Sequence, residues 1–284
     1  MEIADARMWF QGIGAVADIS NDNTSFRTKS ASPLSYVSFL ELFGLHTDDV
    51  SSMQPVAHEA GLCGLPSVIT PHSTYSLNDP GFKAAIDAGG GCGLPLSIHF
   101  MESPGEKELY MGSGEMSQWY RERNMTVGFT EYGSPARRIV ECVPPERDIM
   151  LIHNTCVTEE DVDIIEGHFT GRVTWVLCPR SNRYIMGAHP PVELLRRKGV
   201  NIAIGTDSLA SNTSLDMAAE MASLKGVPLE ELIHWATAAG AAALGLEELY
   251  GTIEIGSRTG MVLLTGIDWD KMALTPEAAT RRIL

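Results

Sequence analysis

Three observations predict an α/β fold of parallel strand–helix units. Seven short runs rich in Val, Ile and Leu recur along the 284 residues. Most of them lack strict polar alternation, as strands covered on both faces do. The segments between them carry helix start and stop signals. Strand, crossover helix and strand in repetition imply β/α units and a parallel sheet.

The runs, in order, are "GIGAVADIS" (12–20), "YVSFLELFG" (36–44), "LPSVITPHS" (65–73), "LPLSIHFMES" (94–103), "DIMLIHNTCV" (148–157), "RVTWVLCPRSN" (172–182) and "VNIAIGTDS" (200–208). Between the third and fourth, "DPGFKAAIDAG" offers Asp79 as a cap and Pro80 in the first turn of a helix. "TEEDVDIIEGHF" opens on Thr158 as an N-cap followed by acids, and "PPVELLRRKG" ends in basic residues and a glycine. The interval from Glu102 to Asp148 is too long for one crossover, and long connections in compact folds are commonly functional. Its Tyr110, Trp119, Tyr120, Phe129 and Tyr132 suit a lid over a pocket and equally a packing excursion on the rim. After Asp207, an alanine-rich stretch reads as two or three helices. "GTIEIGSRTGMVLLTG" then reads as two short strands joined by a Gly-Ser-Arg-Thr-Gly turn. The expected division is a (β/α) domain over 1–247 and an accessory β segment over 248–284.

Composition narrows the function classes. A formal charge of −15 repels phosphate backbones, so nucleic acid is a poor partner. No run approaches the roughly 20 apolar residues that span a bilayer, and the first residues lack a secretory pattern. Five widely spaced cysteines without a Cys-x-x-Cys pair fit a reducing cytoplasm better than a disulfide scaffold. The expected partner is a small-molecule substrate, with association between copies open. A dinucleotide site fits badly, because "GGGCG" (89–93) precedes a strand and does not follow one into a helix. A serine hydrolase lacks its Gly-x-Ser-x-Gly elbow.

Chemistry in parallel β/α barrels sits where strands end, on their C-terminal loops. Those ends carry Asp18, Glu41, His72, His99 with Glu102, His153, Asn182 and Asp207. One such histidine is ordinarily a satisfied core residue; three with an aspartate on one rim point to a site. His99 and Asp207 supply imidazole nitrogen and carboxylate oxygen, both ordinary zinc ligands. Glu102 can carry a proton to a substrate nitrogen, and His153 can orient or deprotonate a water.

These residues resemble the amidohydrolase superfamily, in its deaminase and chlorohydrolase-like branch. The resemblance rests on "SIHFMES", "LIHNTC", "LCPRSN", "IAIGTDSLASN" and the closing "GTIEIGSRTGMVLL", and it covers nearly the whole chain. It implies a TIM-like (β/α) barrel hydrolase that uses one divalent metal, zinc or iron, with zinc the first choice. The substrate implied is a purine-like or other nitrogen heterocycle that loses an amino group, or in the chlorohydrolase-like relatives a halide. Carried over by position, His99 and Asp207 are metal ligands, Glu102 the proton shuttle and His153 the partner of the activated water. His72, Ser181 and Asn182 would line the substrate pocket.

The family's first strand ends in a His-x-His pair that supplies two further ligands, and none of the eight histidines here forms one. The chain therefore resembles a member that begins after its first β/α unit, with a C-terminal remnant of a small β-sandwich. Met1 is then either an internal methionine of a longer gene or the start of a shortened product. Open strand edges and weakened metal binding are expected. His58 and Glu59 in "QPVAHEAG" read as helix-surface residues rather than replacement ligands. The alternative function is a catalytically silent fragment or binding module that has lost its metal.

Overall fold

The computed structural model describes residues 1–125, 127–255 and 260–284. All seven apolar runs form strands: β1 (Ala15–Ser20), β2 (Ser35–Leu42), β3 (Ser67–Pro71), β4 (Leu96–Phe100), β5 (Ile149–His153), β6 (Val173–Leu177) and β7 (Asn201–Ile204). They run parallel in chain order, β1-β2-β3 in one sheet and β4-β5-β6-β7 in another.

Side chains close the seam between the sheets. The Thr70 hydroxyl donates to the Ser97 carbonyl at 2.6 Å and accepts the Ser97 N–H at 2.9 Å. Just beyond, the His99 N–H donates to the His72 carbonyl at 2.9 Å, beside an isolated parallel bridge between Ser73 and His99. The result is a continuous run of seven strands in TIM-like (β/α) barrel order. Among the described residues β1 and β7 do not pair with each other.

Helices α1 (Glu2–Gln11), α2 (Phe26–Ala31), α3 (Gln54–Leu62) and α4 (Asp79–Ala88) flank the first sheet. The cap of α4 is Asn78, one residue before the one expected: its Oδ1 accepts the Gly81 N–H at 2.8 Å. Asp79 is drawn instead to Arg138, 2.7 Å away.

The long interval after Glu102 holds four short helices, α5 (Pro104–Tyr110), α6 (Gly114–Glu122), α7 (Phe129–Tyr132) and α8 (Pro135–Cys142). Their aromatic residues divide between packing and cavity lining. Tyr110 and Phe129 are buried in a small cluster of their own, while Trp119 and Tyr120 line a cavity described below. Arg138 on α8 is fully buried among the rings of Phe82, Phe129 and Tyr132. Its guanidinium donates to the carbonyls of Thr74 (2.6 Å) and Leu77 (3.1 Å), so the insertion grips the loop after β3.

Helices α9 (Glu159–His168), α10 (Pro179–Met186), α11 (Val192–Lys198), α12 (Met217–Ser223), α13 (Leu229–Ala236) and α14 (Ala238–Ala243) complete the α/β part. Thr158 caps α9 in a reciprocal box with Asp161, and α11 ends at Gly199 with φ 68°, as the sequence signals.

The C-terminal segment differs from expectation. Residues 251–255 form no strand, and most of the expected turn lies outside the described residues. The hairpin is instead β8 (Val262–Asp268) with β9 (Ala273–Arg282), antiparallel. It docks on α1 through Arg282, which lies 3.7 Å over the Trp9 ring and donates to the Trp9 and Ile13 carbonyls.

Arg138→Met removes a buried donor from two carbonyls and empties the aromatic cage. Urea unfolding is expected to show a loss of about 2–4 kcal/mol. A change within about 0.5 kcal/mol, the range of ordinary surface substitutions, would contradict the gripping role.

Candidate active site

The strand ends bring three imidazoles into a row. The rings of His72 and His99 stack at 4.7 Å and those of His99 and His153 at 5.3 Å. They come from the ends of β3, β4 and β5, so the parallel topology itself sets the spacing.

His99 sits in the middle with its tautomer defined. Its Nδ1 lies 2.8 Å from the His72 carbonyl, which can only accept, so Nδ1 carries the proton and Nε2 is left for the pocket. The buried Glu41 carboxylate stands 3.2 Å from the same Nδ1. Burial alone would lower the His99 value; the hydrogen bond and charge of Glu41 overcome it and push the group up to about 9. His72 moves the other way, down to about 4, through burial and the neighbouring His99 charge.

His153 is held by Asn182. Its Nδ1 donates to Asn182 Oδ1 at 2.9 Å, and Asn182 Nδ2 donates back to the His153 carbonyl at 3.2 Å. Its Nε2 then faces Glu102 Oε1 at 3.6 Å. Burial, followed by the charge of His99, holds His153 below its ordinary value. At the end of β7, Asp207 accepts from the hydroxyls of Ser181 (2.5 Å) and Ser211 (2.7 Å) and from the Ser208 N–H (2.6 Å). Burial opposes ionisation there, but these three donors keep Asp207 below the usual carboxylate range.

The backbone is strained along this rim. Met101 (φ 51°), His153 (φ 82°), Asn154 (φ 58°) and Asp207 (φ 55°) all adopt left-handed conformations that L-residues rarely take. Such strain concentrates at functional sites, where surrounding structure over-determines it.

Beside the row lies a cavity of about 450 Å³, walled by Glu41, His72, Phe43, Trp119, Tyr120 and Met125 among others. It is large enough for a small aromatic ligand, and its lining combines polar groups with aromatic rings.

Ser181 and Asn182 are fully buried, with their polar atoms turned to Asp207 and His153, and so orient these residues. Asp18 does not reach the site: it pairs with the buried Lys29 of α2, which also donates to Ser20 and Ser38. His58 and Glu59 lie on α3 as expected, His58 exposed and Glu59 accepting from Asn23.

The donor atoms of Glu41, His72 and His99 lie within 4.8 Å of one another, a carboxylate and two imidazoles suited to a divalent cation. Asp207 stands outside that group of three among the described residues. The chemistry of the rim donors fits a divalent metal, with His99 common to this group and to the expected His99–Asp207 pair.

The amidohydrolase family pattern matches residues 58–279, which contain the imidazole row, Glu102 and Asp207. The chain belongs to the amidohydrolase family. It is 32% identical over 207 residues to the aminodeoxyfutalosine deaminase of Nitratiruptor sp., covering 70% of this chain and 48% of that protein. It is 28% identical over 222 residues to the 5-methylthioadenosine/S-adenosylhomocysteine deaminase of Caldanaerobacter subterraneus subsp. tengcongensis, covering 74% of this chain and 46% of that protein. Among solved structures, the aminofutalosine deaminase of Helicobacter pylori in complex with methylthio-coformycin superposes with a TM-score of 0.76. That match has 25% identity and covers 89% of this chain and 64% of the other. The chain thus spans about half the length of the curated amidohydrolase relatives it matches.

In the metal-free chain Glu41→Gln should cost stability on the order of 2–3 kcal/mol near pH 6. The sign follows from His99, whose folded value of about 9 lies above its ordinary 6.5. Its contribution is full below 6.5 and is lost as pH rises through about 9. Chemical unfolding at pH 6 and pH 10 checks this; an equal cost at both would contradict the pair.

Proposed function

We propose that this chain carries the catalytic rim of a metal-dependent aminohydrolase acting on a purine-type nucleoside. The observation that carries the reading is the convergence of His153 Nε2 and Glu102 Oε1, 3.6 Å apart, beside the row of imidazoles. The 5-methylthioadenosine and aminofutalosine deaminases among the relatives support a nucleoside with a substituted ribose as substrate.

In this reading His99 and Asp207 would hold the metal, zinc; the Glu41–His72–His99 group is the alternative seat for it. Bound there, zinc would bring the ionisation of a water near neutrality. The residues of the chain then do the rest. His153 Nε2, kept free because Nδ1 is committed to Asn182, orients the water toward the amino-bearing ring carbon. Glu102 takes a proton from that water and delivers it to the adjacent ring nitrogen. As the carbon–oxygen bond becomes a carbonyl, the carbon–nitrogen bond breaks and ammonia leaves with the remaining water proton. His72, held neutral by burial, faces the cavity as a hydrogen-bonding group for the ribose. Trp119, Tyr120 and Phe43 give the purine and its substituent an apolar wall.

The test is ammonia release from 5'-methylthioadenosine by the zinc-loaded chain, with metal content measured in parallel. Glu102→Gln should lower kcat by about 10²–10⁴-fold while leaving metal content unchanged. Asp207→Asn should weaken zinc binding at least about tenfold. If Glu41→Gln weakens it and Asp207→Asn does not, the ion sits in the Glu41–His72–His99 group. A chain that binds the nucleoside yet carries no metal and releases no ammonia is a silent binding module, and the catalytic reading fails.

A further inference from the structure

Glu106 is a fully buried carboxyl near the site, and the chemistry above does not use it. It lies on α5, four residues after Glu102. Its Oε1 accepts from the Thr74 hydroxyl at 2.5 Å, and the backbone N–H groups of Met101 and Glu102 face the same carboxyl. Its Oε2 has no hydrogen-bond partner among the described residues.

Thr74 is itself a node. Its carbonyl accepts from Tyr110 Oη on α5 at 2.6 Å and from Arg138 on α8 at 2.6 Å, while its hydroxyl reaches Glu106. Thr74 follows His72 by two residues, and Met101 and Glu102 form the turn after β4, where Met101 holds φ 51°. One buried carboxyl therefore bridges the loop that places His72 and the strained turn that places Glu102.

We infer that Glu106 is a positioning residue, which locks the His72 loop to the Glu102 turn so that both side chains are held at the row of imidazoles. The inference rests on the proposed function for the roles of His72 and Glu102.

The neutral acid is the form that fits. Burial pushes Glu106 up to about 8, with Glu102 adding repulsion and the Thr74 and backbone hydrogen bonds pulling the other way. Tyr75, Tyr110, Tyr120 and Cys156 are titratable groups that feel its charge; of the nearby cations, Arg138 stands on the carbonyl of the same Thr74 and Lys107 acts on Cys156. A neutral carboxyl leaves one oxygen unpaired at far less cost than a carboxylate does. With a folded value above the ordinary 4.5, its contribution to stability is full below 4.5 and is lost as pH rises through about 8.

The experiment uses the full chain and its Glu106→Gln and Glu106→Ala variants, read by amide hydrogen exchange as protection factors in residues 72–77 and 100–104. Glutamine is neutral and keeps the acceptor, so it should hold both segments within about threefold of the unaltered chain. Alanine leaves the Thr74 hydroxyl without its partner and removes the carboxyl that the Met101 and Glu102 amides face, so both segments should lose protection together, by about tenfold or more. Raising the pH from 6 to 9 should weaken protection of both segments more in the unaltered chain than in Glu106→Gln, where only the loss of the His99–Glu41 contribution remains. The inference is overturned if Glu106→Ala affects only one segment, if Gln and Ala behave alike, or if the pH dependence is as large in Glu106→Gln as in the unaltered chain.

Turnover of 5'-methylthioadenosine supplies the functional arm. Glu106→Ala should lower kcat by about 10²-fold with less change in KM, and Glu106→Gln should restore it. An unaltered chain that holds metal yet releases no ammonia defeats the proposed function, while hydrogen exchange still decides the part played by Glu106.

Discussion

The His72 carbonyl accepts two hydrogen bonds from His99, one from its main-chain N–H and one from its ring Nδ1. Much of the site depends on this double contact. The backbone bond helps join the three-stranded sheet to the four-stranded one, and the ring bond sets the imidazole's tautomer. A histidine anchored through Nδ1 must offer Nε2 to whatever lies in the pocket, and carbonyl- or carboxylate-anchored histidines of this kind are well suited to metal ligation. In the metal-free chain Glu41 favours the imidazolium of His99, whose charge helps keep both flanking imidazoles neutral; a metal at Nε2 would displace that nitrogen's proton and leave the Nδ1 anchor in place. One seam between strands therefore orders the charge states of the row.

Around that seam, the rim is held by groups that never touch the cavity. Ser181 and Ser211 fix Asp207, Asn182 fixes His153, and Arg138, Tyr110 and Glu106 converge on Thr74. Four non-glycine residues in left-handed conformations at the ends of β4, β5 and β7 are tolerated because these contacts over-determine the local backbone.

Much of this was legible in the sequence. Parallel strands covered on both faces read as uninterrupted apolar runs, and the topology places chemistry at their outgoing ends, so His72, His99, Glu102, His153 and Asp207 stood out by position. Glu41 stood out as well, an acid in a strand whose neighbours are apolar, but its partner His99 lies 58 residues on and sequence spacing does not reveal it. Glu106 sits in "ESPGEKE", which reads as a solvated helix start; only the tertiary placement of Thr74 buries it. Ser181 and Asn182 stand out by position, but spacing does not reveal that their polar atoms turn to Asp207 and His153. The cap of α4 moved from Asp79 to Asn78 because Arg138, distant in sequence, competes for the aspartate. The hairpin partner was missed because β9 contains Pro276, which a strand tolerates only where its missing N–H is not needed for the ladder.

Anomalous diffraction from crystals of the chain loaded with zinc tests the central claim most directly, since it locates the ion without reference to turnover. The account predicts one strong peak about 2.0–2.1 Å from His99 Nε2, with the Nδ1 contact to the His72 carbonyl intact. A peak that leaves His99 unligated, or a His99 ring turned so that Nδ1 faces the ion, would contradict it.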